Sequence, residues 1–434
     1  MHERKLQMRM NHQSVPGRGD RTGSSRAMVH KVVSLTALAG LGLVSACGGS
    51  SSGGTSSDGS PASNLTGAKI VIGVIASQSG TGVTGNSDTS TTAKSWQDYV
   101  NAHGGINGHP VSVVVKDDGN NAATALQAAQ DLVENEHAVA IGDDSFAATA
   151  FQKYVDNANV PVISMGGAAA SSLYLSDKNF FTNMTTIPGA IAAYAQTAQI
   201  AGAKNFGLLY CSESPTCSQS VPLFKAATQA AGLTFGYSAA VSASTPNFTA
   251  VCLAAKKAGV DALAIVSASQ QENQRVFDNC ATQNFNPIVL NNGSTFGSSA
   301  LSDPKIPVQW QFTPTLPANI ESAATANFRD AMGSYLSSAS VLQNVLTAWV
   351  GLEVIGAAAK AGVESGATPT AAAMYDGLYS LKDFTAGGLT GPLTYNKAAP
   401  TQSNCFFLSK IDHGKFSTPK GTAPICPGGA AGQQ

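Results

Sequence analysis

From Ala68 onward the chain alternates short, unbroken apolar runs with longer stretches in which apolar residues recur at helical spacing. "AKIVIGVIA", "HPVSVVVKD", "AVAIGD" and "VPVISM" read as strands. "TTAKSWQDYVNAHGG", "NAATALQAAQDLVENE" and "SFAATAFQKYVDNAN" read as the helices between them. Continuous Val/Ile runs rather than a strict in/out alternation predict parallel strands covered on both faces, and so a doubly wound α/β domain. After Pro188 a second series begins. The strands "NFGLLYC", "LTFGYSAAVS", "DALAIVSA" and "NPIVLNN" are interleaved with the helices "GAIAAYAQTAQIAG", "SVPLFKAATQAAG", "NFTAVCLAAKKAG" and "QENQRVFDNCATQNF". About 360 structured residues exceed one ordinary core, so two lobes are expected. Beyond "PVQWQFTPTL" lie two further helical stretches, "SAATANFRDAMGSYL" and the long apolar "SVLQNVLTAWVGLEVIGAAAKAG". Gln343, Asn344, Glu353 and Lys360 interrupt the second, which marks it as a buried helix rather than a membrane span.

The N-terminal region follows other rules. Residues 1–27 are polar and basic without periodicity; they form a long leader, or the chain starts at Met28. The apolar run Val32–Val44 is preceded by Lys31 and is too short to cross a bilayer. The order Val44-Ser45-Ala46-Cys47 resembles the lipobox of bacterial lipoproteins, in which the signal is removed before the cysteine and its sulfur receives a diacylglycerol. The Gly/Ser-rich stretch that follows, residues 48–67, fits a tether with a reach of roughly 25 Å. The expected organisation is a signal region at 1–46, a lipidated Cys47 with its tether at 47–67, and a globular body on the outer face of the cytoplasmic membrane.

Charge and cysteine content narrow the options. The chain has 25 Lys+Arg and 26 Asp+Glu; residues 1–46 hold 7 and 2 of these, leaving 18 against 24 and a body near −6. That balance argues against nucleic acid as a partner. Beyond Cys47 six cysteines remain, an even number suited to an oxidising compartment. Local pairing as Cys211–Cys217, Cys252–Cys280 and Cys405–Cys426 is expected, because Cys252 and Cys280 flank one strand on consecutive helices and Cys426 is the one tail cysteine available to Cys405. No metal site is expected: His103, His109, His137 and His413 stand at no ligand spacing to a cysteine pair.

Several stretches carry a family resemblance. "AKIVIGVIASQSG", "NAHGGINGHPVSVVVKDDGNNAATALQAAQDLV", "VAIGDDS", "VPVISMGGAA" and "GPLTYN" resemble, in order and spacing, the leucine/isoleucine/valine-binding type of ABC-transporter solute-binding protein. The resemblance implies a type I periplasmic-binding-protein fold, two doubly wound, mostly parallel lobes joined by three hinge crossovers near Thr185–Pro188, Phe312–Pro314 and Thr394–Asn396. Lobe 1 would comprise 68–187 and 313–395, lobe 2 188–312 and 396–426, with 427–434 as a tail. It implies a monomer that closes on a small-molecule solute without a cofactor and docks on membrane permease subunits. A ligand sensor with the same fold, uncoupled from transport, is the alternative.

Ligands of open parallel sheets sit outside the carboxyl ends of the strands. Here those ends carry Ser77-Gln78-Ser79-Gly80, Asp143-Asp144-Ser145, Gly166-Gly167-Ala168, Ser212-Glu213-Ser214, Ser267-Ala268-Ser269-Gln270 and Asn291-Asn292-Gly293. By resemblance, the Ser145 hydroxyl and amide would hold an amino acid's carboxylate at a helix start, and Gly166 and Gly167 would form the backbone-binding turn. The family's threonine is Ala168 here, its ammonium-pairing acid aligns with Asn292, its tyrosine with Ser269 and its first-loop aromatic with the region of Gly85. Glu213, or Asp143 with Asp144, would then have to supply the missing negative charge. Beyond residue 46 the only arginines are Arg275 and Arg329, both in helical patterns, which disfavours a bidentate clamp on phosphate or dicarboxylate. Enzyme signatures are lacking: there is no G-x-S-x-G elbow between a strand and a helix, no Cys/His pairing and no H-E-x-x-H.

Overall fold

The computed structural model describes residues 65–80, 86–166, 172–212, 215–242, 244–266, 270–293, 308–339, 342–401 and 403–427. The signal region, Cys47 and nearly all of the tether lie outside them, as does the tail beyond residue 427.

The first sheet has the order β2-β1-β3-β4-β5, all parallel, from Ile70–Ala76 (β1), Val111–Asp117 (β2), Ala140–Asp144 (β3), Val162–Ser164 (β4) and Phe180–Phe181 (β5). Its helices are Thr89–Ala102 (α1), Ala122–Glu134 (α2), Gln152–Ala158 (α3) and the single turn Leu173–Ser176 (α4). The apolar runs are continuous because each face has its own core. Ile70, Ile72 and Val74 point to one shared with Trp96 of α1, while Ile75 and Ile141 point to another with Leu132 of α2 and Val155 of α3. The expected helix over 145–159 divides into a 3-10 turn at Ala148–Ala150 and α3, which ends at Asn159 in the left-handed region. The short strand β5 was not legible as an apolar run.

The second sheet has seven strands in the order β12-β11-β10-β9-β8-β6-β7. Asn205–Cys211 (β6), Thr234–Val241 (β7), Ala262–Val266 (β8), Ile288–Asn292 (β9) and Gln309–Thr313 (β10) run parallel, and Phe407–Asp412 (β11) and Lys415–Ser417 (β12) add an antiparallel edge. Helices Ile187–Ile200 (α5), Pro215–Gln219 (α6), Val221–Ala230 (α7), Thr249–Lys257 (α8) and Gln270–Thr282 (α9) connect it. Residues of α5 and α7 share one core with Phe206, Leu208, Leu290 and Phe312, while α8 and α9 share the other with Leu209, Leu263, Ile265 and Val289. All three disulfides, Cys211–Cys217, Cys252–Cys280 and Cys405–Cys426, lie on this side of the molecule.

Between β10 and β11 the chain returns to the first sheet. It forms Ala326–Met332 (α10), Leu342–Gly362 (α11) and Ala371–Ser380 (α12), whose apolar residues join the Ile72/Val74 core. The helix α11 is long and apolar enough to cross a membrane, yet 67% of its apolar window is buried in the fold. Its one acid, the half-buried Glu353, accepts a 3.0 Å hydrogen bond from Trp96 Nε1, and desolvation raises its pKa.

The three passages between the sheets run side by side and are tied to one another. Thr186 N donates to Ser403 O, Thr185 Oγ1 donates to Cys405 O at 2.5 Å, and Tyr395 OH donates to Thr182 O at 2.8 Å. Thr390 Oγ1 donates to Asn183 O, and Leu316 N donates to Leu389 O. Buried Gln343 at the start of α11 holds the middle passage from the side, accepting from Ala318 N and donating to Thr315 Oγ1.

α11 and α12 touch at glycines, and here packing outweighs propensity. A Cβ on Gly377 would stand 1.9 Å from Ala358 O, a backbone atom that cannot rotate away. Gly→Ala inside a helix favours folding by about 1 kcal/mol, whereas overpacking costs about 1–3 kcal/mol or more. Gly377→Ala is therefore expected to destabilise the protein by about 2 kcal/mol in denaturant unfolding; an unchanged or raised midpoint would refute this packing account.

Candidate ligand cleft

At the carboxyl ends of β1, β2 and β3 the chain gathers three buried carboxylates, Asp118, Asp143 and Asp144, exposed by 1%, 0% and 3%. Each is answered by hydrogen-bond donors, as buried charge requires. Asp118 accepts from Ser77 Oγ at 2.7 Å, from Asn120 N at 2.7 Å and from Ser145 Oγ. Asp143 accepts from Tyr174 OH at 2.6 Å and from Ser145 N at 3.0 Å. Asp144 accepts from Thr89 Oγ1 at 2.5 Å, and its backbone carbonyl takes Asn86 Nδ2 at 2.9 Å. Gly166 makes room beside it: a Cβ there would stand 2.9 Å from Asp144 Oδ1.

Ser145 sits inside this network. Its hydroxyl and its amide are both engaged by the protein's own carboxylates, and the residue is 1% exposed. The two groups that the resemblance assigns to a ligand carboxylate are bonded here to Asp143 and Asp118. Asp143 and Asp144 likewise serve Tyr174, Ser145 and Thr89 rather than standing open to a solute ammonium. Ser79 is exposed, but its amide and hydroxyl both serve Asp117. Partial burial pushes the Asp117 carboxyl up, yet the hydrogen bonds from Ser79, Gly119 and Gln78 outweigh it and hold the group below the usual carboxylate range. Half-buried Gln78 accepts from Ser90 N at 3.0 Å with Oε1, taking up one of the unpaired amides at the start of α1.

Sequence reasoning missed Phe146. Its amide is fixed by Ser77 Oγ at 3.0 Å, while its side chain is 47% exposed directly after the carboxyl end of the central strand β3. An exposed phenyl at that point gives the rim an apolar surface. The available signal was a large apolar residue immediately after "GDDS".

On the second sheet, Asn292 closes β9, half-buried, with the Tyr194 hydroxyl hydrogen-bonded to its backbone. The adjacent Asn291 is 1% exposed and donates to Gln309 Oε1 at 2.8 Å. Gly167, Ala168, Glu213 and Ser269 lie outside the described residues, as does the region of Gly85. Among the described residues no cluster of His, Cys, Asp and Glu is arranged to hold a metal ion.

The strand-end carboxylates have a consequence for stability. Burial, with a smaller push from Asp118, raises the Asp143 carboxyl from 3.8 to about 7. The folded protein therefore keeps a proton there that the unfolded chain releases at lower pH, so this group's contribution is fully present below about pH 4 and is lost as the pH rises through about 7. Asp143→Asn, which stays neutral throughout, is expected to lose less melting temperature than the parent between about pH 5 and about pH 8. Parallel melting curves against pH for the two proteins would contradict the assignment.

A family model described as "Periplasmic binding protein" matches residues 69–416. No curated protein sequence matches significantly. A branched chain amino acid ABC transporter structure from Thermus thermophilus with bound valine is similar at a TM-score of 0.70, with 14% identity over 83% of this chain and 97% of its own. A solute binding protein from R. palustris in complex with benzoate gives a TM-score of 0.62 and 17% identity over 83% and 98%. A fatty acid ABC transporter substrate-binding protein from Thermomonospora curvata gives 0.62 and 15% over 84% and 92%. Identities this low speak for the fold alone, and the fold is the one described above. With a family model covering residues 69–416 on two parallel-stranded lobes joined by three crossovers, the chain belongs to the periplasmic binding protein family.

Proposed function

We propose that this protein is an extracytoplasmic, lipid-anchored solute-binding protein that captures a small solute between its lobes and delivers it to an ABC importer. The observation that carries the reading is the family match together with two parallel sheets joined by three mutually bonded crossovers. We take the lobes as 68–187 with 313–395 and 188–312 with 396–426. A solute that contacts both lobes only when they close shifts the open–closed equilibrium by its differential affinity, and the closed form is what a permease would recognise. Structural neighbours with this fold include proteins with bound valine and with benzoate.

The contacts proposed for the solute are Gln78, Ser79, Phe146, Gly166, Gly167 and Ala168 from the first lobe, and Glu213, Ser269 and Asn292 from the second. Asp144 and Ser145 act beneath them by fixing the rim. With the strand-end carboxylates committed internally and no arginine at the rim, a neutral or weakly polar solute with an apolar portion fits better than a zwitterion. The Phe146 ring would line that portion.

Melting with a panel of branched-chain amino acids, carboxamides and aromatic acids tests this. At least one solute is expected to raise the melting temperature, and Phe146→Ala is expected to weaken its binding about 5- to 30-fold, the equivalent of about 1–2 kcal/mol of buried aromatic surface. A panel without any response, or full affinity in Phe146→Ala, would count against the reading. For the anchor, Cys47→Ser is expected to move the protein from the membrane fraction to the soluble one. Retention as firm as the parent's would remove the lipid from the proposal.

A further inference from the structure

Beside the crossovers lies a second polar pocket that the cleft does not account for. Register places Asn291 of β9 opposite Gln311 of β10, and Gln311 opposite Ser409 of β11, so the three side chains form a row across one face of the sheet. Gln309 joins the same face two positions earlier on β10. All four are buried, exposed by 1%, 3%, 1% and 0% in the order named, and each keeps a polar atom without a hydrogen-bond partner: Asn291 Oδ1, Gln311 Nε2, Ser409 Oγ and Gln309 Nε2. Buried polar atoms are rarely left unpaired, and four on three adjacent strands mark a place rather than scatter.

Gln311 and Ser409 line a pocket whose opposite wall comes from the middle crossover and the start of α11. That wall includes Pro317, Asn319 and Leu342, and Phe416 of β12 closes one side. Gln343 also lines it, but its amide is fully engaged with Thr315 and Ala318, so the unpaired atoms are not a general property of the lining. Two features define the occupant. Among the described residues no charged side chain lines the pocket, so an ion would find no counter-charge from them there. The unpaired amide and hydroxyl stand among Pro317, Leu342 and Phe416, which suits a molecule with a polar head and a small apolar part better than water alone.

We propose that this pocket is a second, hinge-side binding site for a small neutral solute bearing a carboxamide or hydroxyl group. The carboxamide or hydroxyl pairs with the Gln311 amide and the Ser409 hydroxyl, and the alkyl part lies against Leu342 and Phe416. Because its walls belong to the second sheet and to the segment that packs on the first, occupancy couples to the angle between the lobes. The site stands independently of the anchor and of the solute held in the cleft.

The test uses protein with 15N-labelled glutamine side-chain amides, the Gln311 resonance being assigned by its loss in Gln311→Met. Propionamide is expected to shift that resonance saturably, and propionate, its charged counterpart of the same size, to bind at least about tenfold more weakly. Asn319→Phe changes a half-exposed residue of the wall, leaves the buried row intact and is expected to abolish the propionamide response. If the resonance does not respond saturably, if propionate binds as well, or if Asn319→Phe responds like the parent, the site is refuted. Asn319→Phe also serves where Gln311→Met fails to fold, because the response of the glutamine amides as a group must then disappear.

Discussion

Every arrangement in this molecule depends on how the three passages between the sheets satisfy their backbone. A chain that leaves a sheet loses its ladder partners, and buried amides and carbonyls left unpaired are costly. Threonine provides the replacements: Thr182, Thr185, Thr186, Thr313, Thr315 and Thr390 are all buried. Several donate into the runs themselves, Thr185 to Cys405 O, Thr313 to Thr315 O and Thr390 to Asn183 O. Their β-branched side chains restrict χ1, so the hydroxyls are held ready without a large loss of rotamer freedom. The three runs become one laterally bonded strip. That strip is what lets a discontinuous lobe, assembled from both ends of the body, behave as one.

The same economy of neutral donors shapes the strand ends of the first sheet. Three carboxylates in so small a space would repel one another if left open. Asp118, Asp143 and Asp144 are instead enclosed by hydroxyls and amides, and burial holds Asp143 near neutrality of pH. The rim is thereby made rigid, with Gly166 reduced to a hydrogen at the one point where the Asp144 carboxylate comes close. Among the described residues, these strand ends present the exposed Phe146 ring, Gln78, Ser79 and the Asp117 carboxylate that the Gln78 and Ser79 amides bond, while the three buried carboxylates are turned inward.

The Val/Ile runs announced the central strands and the parallel order because period and composition act locally. The paired cysteines were legible from topology, Cys252 and Cys280 facing across adjacent helices as right-handed crossovers require. Elements without a local signature escaped: β5 is two residues long, the α12 helix carries Gly377 in its middle, and β12 gains its identity from pairing with β11. Ser145 shows the limit most clearly. A serine at a strand's carboxyl end is visible in sequence, but Asp118, which takes its hydroxyl, lies 27 residues earlier on another strand's end. Whether such a hydroxyl faces a ligand or a neighbour is decided by which strands lie side by side, and no spacing reports that.

A rim whose carboxylates are committed to the protein's own donors sets a bound on the proposed solute. Micromolar capture needs about 8 kcal/mol, and net neutral hydrogen bonds contribute about 1 kcal/mol each. Four such bonds supply about half of that before the cost of immobilising the solute is counted. The remainder has to come from apolar surface, and at about 25 cal/mol per Å² it corresponds to about 160 Å² removed from water, the area of a phenyl ring or a branched alkyl chain. A charged clamp would relax this requirement, since charge-assisted bonds are about twice as strong, but the first lobe has turned its carboxylates inward. A solute small and wholly polar would therefore fall short on such contacts, and among the described residues of these strand ends the exposed Phe146 is a group able to make up the difference.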